Sequence, residues 1–153
     1  HFKDKYDLEN WIFCSEFIDR ARAHRGSKEW RLMQALCEYL DANRAIYRRA
    51  FAAEGQNCFT EYFSEFVASV ISEEVNKMFA DQNEEDMAFY IGFYTDAFVM
   101  SIRKWILKQG DISSRRFIAL LRNGLIHTSL AVLQRLPKED ERRTAGFVTD
   151  GQK

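Results

Sequence analysis

A chain of 153 residues with 22 Lys and Arg against 23 Asp and Glu has the length of one domain and can bury a sizeable core. Its formal net charge of −1 argues against nucleic-acid binding by this chain alone, which would favour a basic excess. Because the composition is 46% hydrophobic, with thirteen Phe and a single Pro, we expect an all-α fold of long helices that pack through aromatic side chains.

Five helices are predicted from the spacing of apolar residues, and the first runs from about Lys5 to Arg25. Asp4 is its expected N-cap, and Gly26-Ser27 is expected to end it and to cap the next helix. Its predicted inner stripe consists of Leu8, Trp11, Ile12, Ser15, Ile18 and Ala21.

The second predicted helix, about Lys28 to Ala53, has a stripe at alternating spacings of four and three, which is typical of one buried face. Arg44 interrupts this stripe. An unpaired guanidinium is costly in an apolar interior, so Arg44 must reach solvent, pair with a carboxylate, or face a cavity that receives a ligand. The apolar members of the stripe are Met33, Cys37, Leu40, Tyr47 and Phe51.

The third predicted helix, about Phe59 to Asp81, has an aromatic stripe whose period fits core packing better than a cofactor site. The fourth, about Glu84 to Gln109, is apolar around most of its circumference, so it must be covered on two sides. We expect its own domain to cover one side and a second copy of the chain to cover the other.

The fifth predicted helix extends from about Ser113 to Leu136 and stops before Pro137. Small residues at the centre of one face would allow a second helix to approach closely. Residues 138–153 are charged and poor in large apolar side chains, which predicts a mobile tail.

Motifs of enzymes and metal sites are missing from the sequence. It has no Gly-rich phosphate loop, no HExxH motif and no GxSxG elbow, so we predict that the chain is not an enzyme and needs no cofactor. Cys14, Cys37 and Cys58 are odd in number and lack CxxC spacing, which favours neither a zinc site nor a disulfide framework. With no signal peptide and no apolar run of bilayer length, a cytoplasmic location is expected.

The opening residues His1-Phe2-Lys3-Asp4-Lys5-Tyr6-Asp7-Leu8 resemble, from the His onward, the aromatic-x-His-Phe-x-x-Lys-x-x-Leu segment that closes the helix-turn-helix of TetR-type transcriptional regulators. Later stretches look like the C-terminal domain of TetR regulators grouped around dihydroxyacetone-kinase-operon activators. These are residues 41–47, 89–93, 102–106 and 113–117. The resemblance covers most of the chain in order and spacing.

The resemblance implies that residues 1–4 end a DNA-binding domain that otherwise lies outside the chain, and that residues 5–137 form the ligand-binding and dimerising domain. Family members typically contact DNA phosphates through the positions that are His1 and Lys5 here, which gives register without sequence preference. They dimerise through their last two long helices, which form a four-helix interface. The interface residues expected here are Phe89, Gly92, Phe93, Met100, Phe117, Leu121, Gly124, Leu125, Thr128 and Val132.

The resemblance also implies that the chain belongs to a regulator, most simply a repressor, that an effector switches by moving the connecting helix 5–25. The expected walls of the effector pocket are Met33, Cys37, Arg44, Tyr47, Phe63, Phe66, Tyr90, Tyr94 and Phe98. Two alternatives stay open at this point. These residues could be plain core in a regulator that answers to a protein partner, or the chain could be a helical dimer that binds an apolar ligand or a protein partner without binding DNA.

Overall fold

The computed structural model of the chain describes residues 5–18, 29–54, 58–78, 80, 82–108 and 112–133. Over these ranges the backbone forms α-helices and no strand, which confirms the predicted all-α fold. The predicted end of the DNA-binding domain at residues 1–4 and the predicted tail at 138–153 lie outside the described residues. The six helices are α1 (Lys5–Phe13, continued by a π-helical segment, Cys14–Ile18), α2 (Glu29–Ala42), α3 (Arg44–Ala52), α4 (Phe59–Met78), α5 (Glu84–Leu107) and α6 (Ser114–Leu133).

The inner face of α1 differs from the predicted stripe. Phe13 and Phe17 are the buried side chains, whereas Leu8 is exposed and Trp11 has 54% of its surface exposed. The segment has apolar residues on opposite faces at helical spacing, so the period alone does not decide which face turns inward. The face with Phe13 and Phe17 is the one that meets the aromatic rings of α2, α3 and α4.

One predicted helix, residues 28–53, is in fact two. The chain breaks between α2 and α3 at Asn43, whose backbone lies at φ −111° and ψ 26°. Its side-chain Nδ2 donates to the carbonyl oxygen of Tyr39 at 3.0 Å, the same oxygen that accepts from the Asn43 backbone N–H at 3.1 Å. Asn side chains compete with the helical ladder in this way, which explains why a periodic apolar stripe does not produce one straight helix here.

An antiparallel hairpin of α4 and α5 forms the most extensive helix contact of the fold. Val75, near the end of α4, packs against Tyr94 in the first half of α5. Asn83 caps α5, because its side-chain oxygen accepts the backbone N–H of Asp86 at 2.8 Å, and the acidic first turn of α5 complements the helix dipole.

All six helices contribute to one hydrophobic core. Burial of such side chains stabilises the fold by about 1.5–3 kcal/mol each relative to leaving them in water. None of the helices in the described part of the chain is long and apolar enough to cross a membrane. The core side chains are Phe13 and Phe17 of the first helical stretch, Met33, Leu36, Cys37 and Leu40 of α2, Tyr47, Ala50 and Phe51 of α3, Phe59, Phe63 and Val67 of α4, Phe98, Val99, Ile102, Trp105 and Ile106 of α5, and Phe117, Ile118 and Leu121 of α6.

Candidate functional site

The nine residues predicted to line an effector pocket lie in three different places. The side chain of Arg44, a residue of α3, lies against the C-terminal end of α5. Tyr90 and Tyr94 belong to a smaller cluster on the first half of α5. The remaining six pack in the main core, five of them buried and Phe66 partly buried; they are Met33, Cys37, Tyr47, Phe63, Phe66 and Phe98.

The centre of the aromatic part of the core is Phe13, a residue that the sequence analysis did not single out. Its ring centroid lies between 5.4 and 6.4 Å from seven other aromatic rings. Most of these contacts are edge-to-face, an arrangement that adds about 0.5–1.5 kcal/mol per pair beyond burial. The neighbouring rings are Phe17, Tyr39, Tyr47, Phe59, Tyr62, Phe63 and Phe66.

A chain of hydroxyl groups runs from this aromatic cluster to the surface. The buried Tyr47 hydroxyl donates to the Tyr39 hydroxyl at 3.0 Å, and Tyr39 donates to the Glu16 carboxylate at 2.7 Å. A second hydrogen bond, between the Cys14 thiol and the Tyr62 hydroxyl, joins the π-helical segment to α4. These groups therefore join the first helical stretch to the body of the domain at the rim of the cluster.

Cys37 lies in the same core without a polar role. Burial, with smaller contributions from the charges of Glu38 and Asp41, raises the pKa of its thiol to about 12. A thiol with so high a pKa stays protonated at neutral pH and is a poor nucleophile and metal ligand. Among the described residues, no group of three or more His, Cys, Asp and Glu side chains is placed to hold a metal ion.

Two adjacent residues of α5 have buried hydroxyl groups that the described part of the chain leaves unsatisfied. The Tyr94 hydroxyl and the Thr95 hydroxyl are both buried and have no hydrogen-bond partner among the described residues. Burial, followed by the neighbouring Tyr90, raises the pKa of Tyr94. Most buried polar groups in folded proteins are paired, so these two hydroxyls are exceptions in the described part of the chain.

Arg44 pairs with a carboxylate, one of the three possibilities that the sequence left open. Its Nε and Nη2 both lie 2.9 Å from Asp41 Oδ1. Its Nη1 donates to the carbonyl oxygens of Trp105 at 2.8 Å, Ile106 at 3.3 Å and Lys108 at 3.2 Å. These carbonyls belong to the open end of α5, so the cation of α3 caps α5 and complements its dipole.

Trp105 extends this contact to α6. The guanidinium carbon of Arg44 lies 4.7 Å from the centroid of the Trp105 ring, and the same ring is stacked on Phe117 at 4.3 Å with an interplanar angle of 5°. Arg44 also borders a shallow groove of about 370 Å³ together with Lys104 and Lys108. The α2–α3 break is thereby connected through one side chain to both C-terminal helices.

Part of the predicted dimer interface lies on the exposed face of α5, and Gly124 is exposed on α6. Phe89 and Phe93 have 65% and 53% of their surfaces exposed, and Met100 is also exposed. A Cβ atom added at Gly92 or Gly124 would meet nothing within 4 Å, so both glycines border open space in the single chain.

A groove of about 490 Å³ lies between α5 and α6 beside these residues. Phe117 and Leu121 form its floor and are buried within the subunit, whereas Leu120, which was not in the predicted set, is exposed on its α6 side. The groove is lined by Phe93, Tyr94, Ala97, Ser101, Ile112, Phe117, Leu120, Leu121 and Gly124.

The side chains of five predicted site residues lie outside the described part of the structure. His1 lies outside the described residues, and Lys5 is described only as the first residue of α1. The backbones of Leu125, Thr128 and Val132 continue α6, but their side chains are also outside the described part. The phosphate-contact set thus stays a prediction.

Comparison with known families places residues 28–127, which span α2 to α5 and most of α6, in a TetR-type family model described as the transcriptional regulator C-terminal region. No curated protein and no solved structure gives a significant match to the chain. The matched region covers more than half of the chain, and its all-helical fold agrees with the family. The chain therefore belongs to the TetR-type transcriptional regulators, as their C-terminal region.

Proposed function

We propose that this chain is the effector-binding and dimerising part of a DNA-binding transcriptional repressor. The family supports a regulatory role. The subgroup is proposed from sequence stretches that look like regulators of dihydroxyacetone-kinase operons. The observation that carries the dimer is the outer face of α5, where Phe89, Phe93 and Met100 turn large apolar side chains outward.

Apolar side chains that are clustered on one face of a domain usually mark an interaction surface. Phe89, Phe93 and Met100 follow one another at spacings of four and seven, so they share a face of α5. Leu120 adds a fourth exposed apolar side chain on α6, across the groove. A second copy that packs α5 and α6 against this face forms a four-helix bundle, and Gly92 and Gly124 leave room for its backbone.

Analytical ultracentrifugation of the chain tests the dimer. The wild-type chain is expected to sediment as a dimer at micromolar concentration, and a Phe89→Ser/Phe93→Ser double variant is expected to sediment as a monomer with an unchanged helical circular dichroism spectrum. Ile46→Ser is the matched control, because Ile46 is 47% exposed on α3 and lies outside the proposed face. A wild-type chain that stays monomeric at high micromolar concentration would contradict the proposal.

In the proposed mechanism, the C-terminal bundle joins two DNA-binding domains, which are called the heads. In an intact dimer each recognition helix reads a major-groove half-site, with centres about 34–36 Å apart or a multiple of that spacing. An effector that binds better to one arrangement of α1 changes the distance between the heads, and DNA and effector then affect each other's binding by the same factor. Unchanged spacing of the two α1 helices, together with loss of operator binding, would contradict this route.

His1 and Lys5 contribute to DNA affinity in this scheme as phosphate contacts. In the intact regulator, Lys5→Gln is expected to weaken binding to all DNA sequences alike and to reduce the salt slope by about one. A change in sequence preference would instead assign Lys5 to base contacts. Complete absence of operator binding by an intact dimer would favour the alternative function, a helical dimer that binds an apolar ligand or a protein partner.

A further inference from the structure

Among the described side chains of the first helical stretch, Phe13 and Phe17 are buried in the core, whereas Leu8 and Trp11 of α1 are exposed. The hydrogen bonds that Cys14 and Glu16 form with tyrosines lie at the rim of the core, where they are partly buried or exposed. The Phe13 and Phe17 rings are therefore the deepest of the described contacts between this stretch and the core.

The Phe13 ring lies among side chains of the main core that were predicted to line the effector pocket. Its ring centroid is 6.1 Å from Tyr47, 5.8 Å from Phe63 and 5.6 Å from Phe66. Phe59 lies at 5.4 Å, edge-on to the same ring. These side chains form an aromatic environment on two helices, α3 and α4, and the ring that they surround is supplied by α1 itself.

The backbone directly after Phe13 has an unusual geometry. Cys14 to Ile18 form one stretch of π-helix, which has wider i→i+5 hydrogen bonding than an α-helix and is frequently found at functional sites. Return of this stretch to α geometry would rotate α1 by about 100° relative to the chain that follows, because an α-helix turns 100° per residue. Such a rotation would withdraw the Phe13 ring from its neighbours.

We propose that Phe13 is a built-in occupant of the effector site, and that an uncharged planar aromatic effector binds by displacing the Phe13 ring and thereby moves α1. The inference rests on the proposed function, because it names the ligand class and the moving side chain of that regulatory site. The core cannot hold both rings at once, since protein interiors are packed about as densely as organic crystals. Binding and displacement of α1 are then one event, and the effector needs no separate route to the DNA-binding head.

Removal of the ring provides the test. Phe13→Ala leaves a phenyl-sized apolar space, and apolar cavities of this kind bind benzene. We expect benzene and indole to bind Phe13→Ala more tightly than the wild type by about tenfold or more, because the wild-type ring competes for the same place. Phe13→Leu, which leaves a smaller space and perturbs the fold less, is expected to fall between them.

The position of α1 is followed by hydrogen exchange of the backbone amides of residues 8–13. Ligand is expected to accelerate exchange of these amides in the wild type, because α1 is displaced, and to leave exchange unchanged or slower in Phe13→Ala, where nothing is displaced. Ile102→Ala is the matched control: Ile102 is equally buried, but it belongs to α5 and was not predicted to line the effector pocket. Ligand bound to the Ile102→Ala cavity is expected to leave α1 exchange unchanged.

Equal affinity of the ligand for the wild type and Phe13→Ala would overturn the inference, and so would binding to neither Phe13 variant. Ligand binding to the wild type without faster exchange in α1 would overturn it as well. Sedimentation keeps these failures separate from failure of the proposed function. A dimer that shows no displacement refutes only the role of Phe13, whereas a monomer refutes the dimerising function itself.

Discussion

Replacement of Arg44 by Met tests the contact that joins α3 to the end of α5. Methionine keeps an apolar stem of similar length but removes the guanidinium, and with it the pair to Asp41 and the donors to the carbonyls of Trp105, Ile106 and Lys108. The variant leaves these three carbonyl oxygens without the donor that Arg44 supplies.

The expected loss follows from the separate contributions. Hydrogen bonds from a charged donor contribute about 1.5–3 kcal/mol in partly buried positions. The contact with the Trp105 ring adds about 0.5–1 kcal/mol, and the exposed pair to Asp41 adds about 0.3–0.5 kcal/mol. Because the Arg44 side chain is 26% exposed, water replaces part of these interactions. We therefore expect a loss of about 2–3 kcal/mol, or a fall in Tm of roughly 4–10 °C for a chain of this length.

Urea unfolding measured by circular dichroism gives the loss directly, as a lower midpoint at an unchanged m value. Arg44→Lys is expected to recover less than half of the stability, because an ammonium group cannot donate in a fork to a carboxylate and to carbonyls at once. Arg49→Met, at an exposed position of the same helix, is the control and should change stability by no more than about 0.5 kcal/mol. If Arg44→Met lowered the free energy of unfolding no more than Arg49→Met does, the capping contact would not stabilise the fold. This result would also refute its proposed role in linking α3 to the C-terminal helices.

Three further predictions concern single side chains. Thr95→Val removes a buried hydroxyl that lacks a partner among the described residues, so the free energy of unfolding should stay constant or rise by about 1 kcal/mol; a loss above that amount would show that the hydroxyl has a partner, for instance in a second copy. Cys37 should resist thiol reagents at pH 8. Because its folded pKa of about 12 lies above the unfolded value of about 9, its contribution to stability should be complete below pH 9 and decline as the pH rises towards 12. Urea midpoints that fall equally between pH 8 and 10.5 in wild type and Cys37→Ala would contradict this. Asn83→Ala removes the N-cap of α5 and should cost about 1 kcal/mol, whereas Asn83→Ser, which can accept the same Asp86 N–H, should cost less; equal losses would refute the capping role.

The sequence by itself determined the helical class, because thirteen Phe, one Pro and helical periodicity leave little room for strands. It also identified α5 as a helix with apolar side chains on too many sides for one domain to cover, and Phe89 and Phe93 are indeed exposed. Both conclusions rest on local properties of the chain, namely backbone propensity and the spacing of side chains along one helix. Such properties do not depend on which other helix lies opposite.

Only the tertiary structure decided which partner each side chain has. The α1 segment has two apolar faces of equal period, and its choice of the Phe13 face required rings from three other helices. Arg44 had three possible environments in the sequence, and the end of α5, some sixty positions further along the chain, supplied its partners. The break at Asn43 depends on a competition for one carbonyl oxygen that an apolar stripe does not reveal. Contacts between residues distant in sequence decide these choices, because burial and hydrogen bonding act through space whereas periodicity acts along the chain.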